Sequence, residues 1–254
     1  MTAGGYREIA QLKNLENLEL SYERGEFSPV ELKSDDLDDE CLNELKALSQ
    51  LRALKLRKGR ITDAGIRHLT ALARLERLEL SCTELKLTEA GVANLATLRN
   101  LTELRVHEAT LTGKGLKDLA RLTNLEVLDL GSSKVSSADI ANLVPLTRLK
   151  ELHLSCSPNM SDHGLDELAK FPCLTVLDIS STKVTDSGIR SIARCPRLES
   201  LNVSGTPITD KGLLELTTCR SLRSVNAYTT DLTNFGVRRF RSKHENCSVT
   251  THSD

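Results

Sequence analysis

Residues 174–197 read LTVLDISSTKVTDSGIRSIARCPR, and residues 198–221 read LESLNVSGTPITDKGLLELTTCRS. Laid one over the other, they share an opening of alternating aliphatic residues, a Thr-Asp-x-Gly element and a second aliphatic series after it. Numbered from the first Leu, each copy has apolar residues at positions 1, 4, 6, 11, 16, 19 and 22. The spacing changes character along the copy. Positions 4 and 6 alternate with period two, as on a strand, whereas positions 16, 19 and 22 keep helical spacing. Each copy thus predicts a short strand, a turn and a short helix.

The same plan starts again at Leu51, Leu75, Leu101, Leu125, Leu149 and Leu222, and an early copy starts at Leu15 and resumes at Leu37. That makes nine repeats over residues 15–246, with a period of 24 and one or two extra residues in some copies. No copy can bury its apolar face alone, so neighbours must stack. The predicted class is α/β: a curved right-handed horseshoe with a parallel sheet on its concave face and short helices on its convex face, residues 1–254 forming one domain. Thr at position 12 and Asp at 13 suit a helix start, where side-chain oxygens accept from unpaired N–H groups. Gly at position 15 is expected to let the helix press onto its own strand. Residues 1–14 match the second half of a repeat, predicting a half-repeat helix with Tyr6, Ile9 and Leu12 facing inward. At the other end Lys243 falls on a core position, and Arg238, Arg239, Arg241 and His244 are expected on the outer helix face. Residues 247–254 predict a polar strand closing the sheet edge.

The elements ITDAGI (61–66), VTDSGI (184–189) and ITDKGL (208–213) resemble the ITDxGL class of leucine-rich repeats. That class includes the cysteine-containing repeats of F-box substrate receptors, ribonuclease-inhibitor-like proteins and many bacterial repeat proteins. Cys195 and Cys219 match the cysteine-containing variant. The resemblance covers essentially the whole chain and implies a leucine-rich-repeat solenoid that binds a partner protein. It also implies an alternative, the substrate-recognition part of an F-box-type ubiquitin ligase whose F-box lies outside this chain.

Composition narrows the function. Lys plus Arg number 34 against 35 for Asp plus Glu, so no global basic field recruits nucleic acid. Aromatic residues make up 3%, too few for base stacking. The opening residues carry no secretory signal and no segment is apolar enough to span a membrane. Seven Cys, scattered without CxxC pairs, argue against a disulfide framework or a zinc site and for a reducing cytoplasm. Neither GxSxG, HExxH nor a Gly-rich phosphate loop is present, so the expectation is a non-catalytic adaptor without cofactor or metal, monomeric by itself. Cys82 and Cys156, each after an LxLS strand, are expected to be small buried turn residues.

The candidate binding face is read from the strand columns. Position 5 runs Glu19, Lys55, Glu79, Arg105, Asp129, His153, Asp178, Asn202, Asn226. In a parallel in-register sheet these are lateral neighbours, so the alternating signs should support one another, with His153 flanked by Asp129 and Asp178. Position 7 is mostly small, except for Arg57, His107 and Tyr228. Val127 and Val176 at position 3 add apolar contact, and Tyr228 has hot-spot chemistry. Arg57, Lys58, Arg105 and His107 are grouped as a basic corner. The first repeat is twelve residues too long, and Tyr22 and Phe27 within the excess (22–36) predict a lobe on the rim that contacts a partner.

Overall fold

The structure, a computed structural model, describes residues 3–20, 37–57, 59–81, 85 and 87–251. The rim insertion, with Tyr22 and Phe27, and also Lys58 and Cys82, lie outside the described residues. The chain forms two compact units, Met1–Leu125 and Glu126–Asp254. Among the described residues, no helix is long and apolar enough to cross a membrane.

The first unit runs α1 (Ala3–Ile9), β1 (Asn17–Leu20), α2 (Asp39–Leu45), β2 (Ala53–Arg57), α3 (Asp63–Leu69), β3 (Arg77–Ser81), α4 (Glu89–Leu95), β4 (Glu103–Val106) and α5 (Gly113–Leu119). Its strands pair in parallel, with Leu18, Leu54, Leu78 and Leu104 in one register row. The second unit opens with β5 (Val127–Asp129), β6 (Glu151–His153), β7 (Val176–Asp178), α6 (Asp186–Ile192) and β8 (Ser200–Asn202). It ends with α7 (Asp210–Glu215), β9 (Ser224–Asn226), α8 (Asn234–Arg241) and β10 (Ser248–Thr250). The positions of two further helices are taken by 3-10 turns, Ser137–Leu143 and Leu165–Lys170. Its strands are also parallel, and Leu128, Leu152, Leu177, Leu201, Val225 and Val249 share a row. Every member of that row is at most 1% exposed. In each unit one face of the sheet is therefore aliphatic core, and the residues between the leucines look outward.

The Thr-Asp-x-Gly element stitches consecutive repeats. The Thr62 hydroxyl accepts from Ala64 N–H of its own helix at 3.2 Å. Its own N–H and hydroxyl donate to the two carboxylate oxygens of Asp39, one repeat earlier, at 2.8 and 2.5 Å. The same pair of bonds joins Thr88 to Asp63, Thr185 to Asp162, Thr209 to Asp186 and Thr233 to Asp210. Gly at position 15 makes room for that carboxylate rather than for its own strand. A Cβ on Gly188 would stand 2.6 Å from Asp162 Oδ1, and one on Gly65, Gly91, Gly212 or Gly236 would overlap the Asp oxygen outright. Where Glu89 replaces Asp, one carboxylate oxygen accepts from the Thr112 hydroxyl and the other lies 3.6 Å from Lys114 Nζ, and the space beside Gly115 is open to 3.4 Å. In the next copies Gly113 has no carboxylate and Ser137 takes the place of Asp. Ser137 joins Ser161 through its hydroxyl, which accepts from Ser161 N–H at 2.8 Å and donates to Ser161 O at 2.7 Å.

A second recurring feature follows β4 to β9. At position 8, Glu108, Ser132, Cys156, Ser181 and Thr229 have φ between 54° and 60°, and Gly205 has 68°. This left-handed turn aims the N–H at the next strand: Ser132 donates to Ser155 O at 2.7 Å and Ser181 to Ser204 O at 2.7 Å. The exposed Cys156 sits in this turn, which corrects its expected burial. Cys195 and Cys219 are core residues, each 3% exposed.

The two ends differ from expectation in detail. Helix α1 stops at Ile9, so Leu12 falls beyond it and is 55% exposed, while Tyr6 and Ala10 are buried. At the other end the extra residue of the last repeat carries His244 inward on the Val237–Phe240 stripe, leaving Lys243 exposed. His244 stacks on Phe240 with ring centroids 5.4 Å apart, and its Nε2 is 2.9 Å from Cys219 O. Arg241 donates to Val249 O of β10 at 2.7 Å.

Candidate functional site

The outward sheet face of each unit carries the candidate residues, and the two faces are built differently. In the first unit the strands are four or five residues long and position 5 holds long charged side chains. Lys55 Nζ lies 3.0 Å from Glu79, and Arg57 sits between Glu19 at 3.7 Å and Glu79 at 3.5 Å. Arg105 turns to Glu103 of its own strand at 2.6 Å. Arg77 reaches across Ala53 to Asn17 at 3.3 Å, beside a shallow cleft of about 490 Å³ floored by the small Ala53. The expected basic corner is thereby corrected: Arg57 and Arg105 are each neutralised by a carboxylate. His107 lies half-buried just past β4.

In the second unit every strand is three residues long. The cause lies in the position 5 side chains, which are mostly Asp or Asn. Such a side chain can accept from the backbone N–H two residues on and end the strand in a turn. Asp129 accepts from Gly131 N–H at 3.0 Å, Asp178 from Ser180 N–H at 2.8 Å and Asn202 from Ser204 N–H at 3.1 Å. Asp178 also accepts from Ser180 Oγ at 2.6 Å and from the Asn202 amide at 3.0 Å. The Ser204 hydroxyl donates to Asn226 Oδ1 at 2.9 Å and accepts from Tyr228 N–H at 3.2 Å.

His153 stands in register between Asp129 and Asp178, but its ion contact is with Glu151 of its own strand at 3.3 Å. The expected lateral pairing is thereby corrected: Asp178 gives one oxygen to its own turn and the other to Asn202 of β8, and Asp129 gives one oxygen to its own turn. Lateral support does appear one column over, where Lys150 Nζ is 2.6 Å from Glu126 and holds that carboxyl below its ordinary range. Val127 and Val176 are half-buried on either side of Glu151. Tyr228, 39% exposed, lies beyond β9. Among the described residues no group of three or more His, Cys, Asp or Glu is placed to hold a metal ion. Burial pushes the Cys195 thiol up to about 12 and those of Cys41 and Cys247 up to about 11, which leaves them unreactive.

The family model described as leucine rich repeat matches residues 172–193 and 194–216. No curated protein sequence matches the chain. Among solved structures, an internalin (inlF) of Listeria monocytogenes is similar over 97% of this chain and 63% of its own, with a TM-score of 0.69 at 18% identity. The LRR protein LIC12759 of Leptospira interrogans is similar over 96% and 62%, with 0.61 at 20%. A chain of the mouse RP105/MD-1 complex is similar over 94% and 39%, with 0.66 at 20%. The chain thus spans under two thirds of the length of each of these structures. At such identities the likeness concerns the fold, which agrees with the repeats read from the sequence: the chain is built as a leucine-rich-repeat solenoid.

Proposed function

We propose that the protein is a non-catalytic binding module or adaptor, and that the outward sheet face of its second unit receives a partner protein. Leucine-rich-repeat proteins commonly mediate protein–protein interaction, and one of the similar structures is a complex by its description, mouse RP105/MD-1. The observation that carries the reading is the difference between the two sheet faces. In the first unit the described cations Lys55, Arg57, Arg77 and Arg105 are each matched by a carboxylate or amide. In β5 to β10 Glu151 and Asp178 face outward, and no Lys or Arg falls within any of those strands. A partner surface bearing cations would complement that charge and gain speed and specificity of docking. Val127 and Val176 supply apolar contact beside it, and Tyr228 supplies an exposed aromatic anchor of the type that dominates interfaces. The small residues Gly131, Ser155, Ser180 and Ser204 let a partner backbone approach, and the amides of Asn202 and Asn226 offer it hydrogen bonds.

Quantitative co-purification from the native cell tests this reading. Glu151→Lys and Tyr228→Ala should each deplete the same co-purifying protein, while Arg194→Glu on the helix side leaves it in place and all three variants melt like the parent. Retention of every partner by both sheet-face variants would overturn the proposal.

A further inference from the structure

We propose a second docking surface on the helix side of the second unit: the groove between α7 and α8 receives an acidic protein segment. At two other steps, position 17 of one helix pairs with position 18 of the next. Arg7 meets Glu44 at 3.3 Å, and Arg190 meets Glu215 at 2.8 Å, drawing the Glu215 carboxyl below its ordinary range. At the next step the same positions are Leu214 and Arg239. An aliphatic side chain therefore stands where the partner charge would be, and the guanidinium has no carboxylate of this kind to meet.

Two open hollows of about 540 and 520 Å³ run along this groove and share Thr217. Lys211 and Arg239 line the first, around Leu214, and Arg220 and Lys243 line the second. Their carboxylates are mostly engaged: Asp210 accepts from Thr233 at 2.8 and 2.6 Å, and Glu215 pairs with Arg190, with Lys211 also drawing its carboxyl down. Glu245 at the far end is the remaining one. The four cations are exposed and form no ion pair among the described residues. Phe235, 72% exposed, lies four residues before Arg239 and so on the same side of α8. The groove offers a cation pair at each hollow, an aliphatic patch at Leu214 and an aromatic at its margin. An extended segment rich in Asp and Glu, with one aliphatic residue seated on Leu214, matches this order of charges. The surface is separate from the sheet face, so the module would hold two partners at once.

The probe is a fluorescein-labelled peptide of Asp and Glu around a central Leu, followed by fluorescence anisotropy with the full chain. Binding should weaken steeply with salt. Arg239→Glu with Lys243→Glu should weaken it about tenfold or more. Leu214→Glu, which supplies the missing carboxylate, should weaken it likewise with α7 intact by circular dichroism. Glu151→Lys on the sheet face should leave it unchanged. The proposal fails if the peptide does not bind the parent chain, if the groove variants bind it equally, or if phosphatidylserine vesicles or a single-stranded oligonucleotide bind the groove in its place.

Discussion

Gly212 and Asp186 form a pair whose coupling can be measured. Asp186 accepts from Thr209 N–H at 2.8 Å and from its hydroxyl at 2.7 Å, and it lies in the first turn of α6. Two part-exposed bonds at about 1 kcal/mol each and a helix-start charge of about 0.5 kcal/mol predict that Asp186→Ala costs about 2 kcal/mol. A Cβ on Gly212 would overlap Asp186 Oδ1, with Cγ at 3.0 Å and Cα at 3.1 Å, so the three nearest atoms all belong to that one residue. In the parent chain Gly212→Ala must dislodge the carboxylate, and even with a helix-propensity gain of about 1 kcal/mol it should destabilise by about 1 kcal/mol. In the Asp186→Ala background only the Cα approach remains, and the same change should be neutral or slightly stabilising. The coupling is then about 1–2 kcal/mol, to be read from urea unfolding of the four proteins in a double-mutant cycle. Gly115 is the control: beside it the nearest atom is Leu111 Cδ2 at 3.4 Å, so Gly115→Ala should stabilise by up to about 1 kcal/mol. Additivity of the Gly212 and Asp186 changes within about 0.5 kcal/mol would refute the account of the glycine.

The left-handed turns give a second prediction: Ser181→Gly, at φ 54°, should raise stability by about 0.5–1 kcal/mol, and Gly205→Ala, at φ 68°, should lower it. Unchanged melting of both would mean the turns are not strained. At the last strand, Arg241→Ala should uncover the Val249 carbonyl and promote edge-to-edge association, visible as a concentration-dependent rise in light scattering; a variant that stays as dispersed as the parent would count against a guarding role. Among the described cysteines, Cys156 should react first with iodoacetamide in the folded protein, ahead of Cys41, Cys195 and Cys247, and mass mapping of the labelled peptides would show any other order. Lastly, Glu126 and Glu215 have carboxyls depressed by Lys150 and Arg190. Their contribution is present above the ordinary Glu range and is lost as pH falls through the lowered folded values. Lys150→Met with Arg190→Met should therefore flatten the acid limb of a stability profile, and an unaltered limb would show the pairs to be inert.

Repeat plan, strand rows and core were legible because aliphatic spacing reports directly on which side chains can be buried together. The Thr-Asp-x-Gly motif was visible too, but its mechanics were not. Sequence places Asp186 at a helix start and Gly212 in the next copy; only stacking brings the two into one small volume. The position 5 column was read as a single ladder of alternating sign, which holds for Lys55 and Glu79. It fails at His153, whose ion contact is Glu151 of its own strand, while Asp178 gives one oxygen to its own turn and the other to Asn202 of the next strand. That signal was available in the change from Glu and Lys to Asp and Asn after Arg105. The left-handed turns announced themselves only at Gly205, since Ser, Cys and Thr carry no sequence mark of positive φ. His244 was misplaced by one residue inserted after α8, which brings it, four residues beyond Phe240, onto the buried stripe in place of Lys243.

The stitches also change what counts as the exchangeable part of this protein. Each Asp is useless without the Thr and Gly that follow it in the next copy, so the inheritable module straddles the boundary between two repeats. A duplication that copied residues 186–209 would join like to like and regenerate every bond at its seam. One that set the Glu89 copy, or the Gly113 copy, ahead of a Thr-Asp-x-Gly copy would leave that Thr without its two-oxygen acceptor. Growth by recombination is thus open at some seams and closed at others, and the residue after the Thr cap tells which.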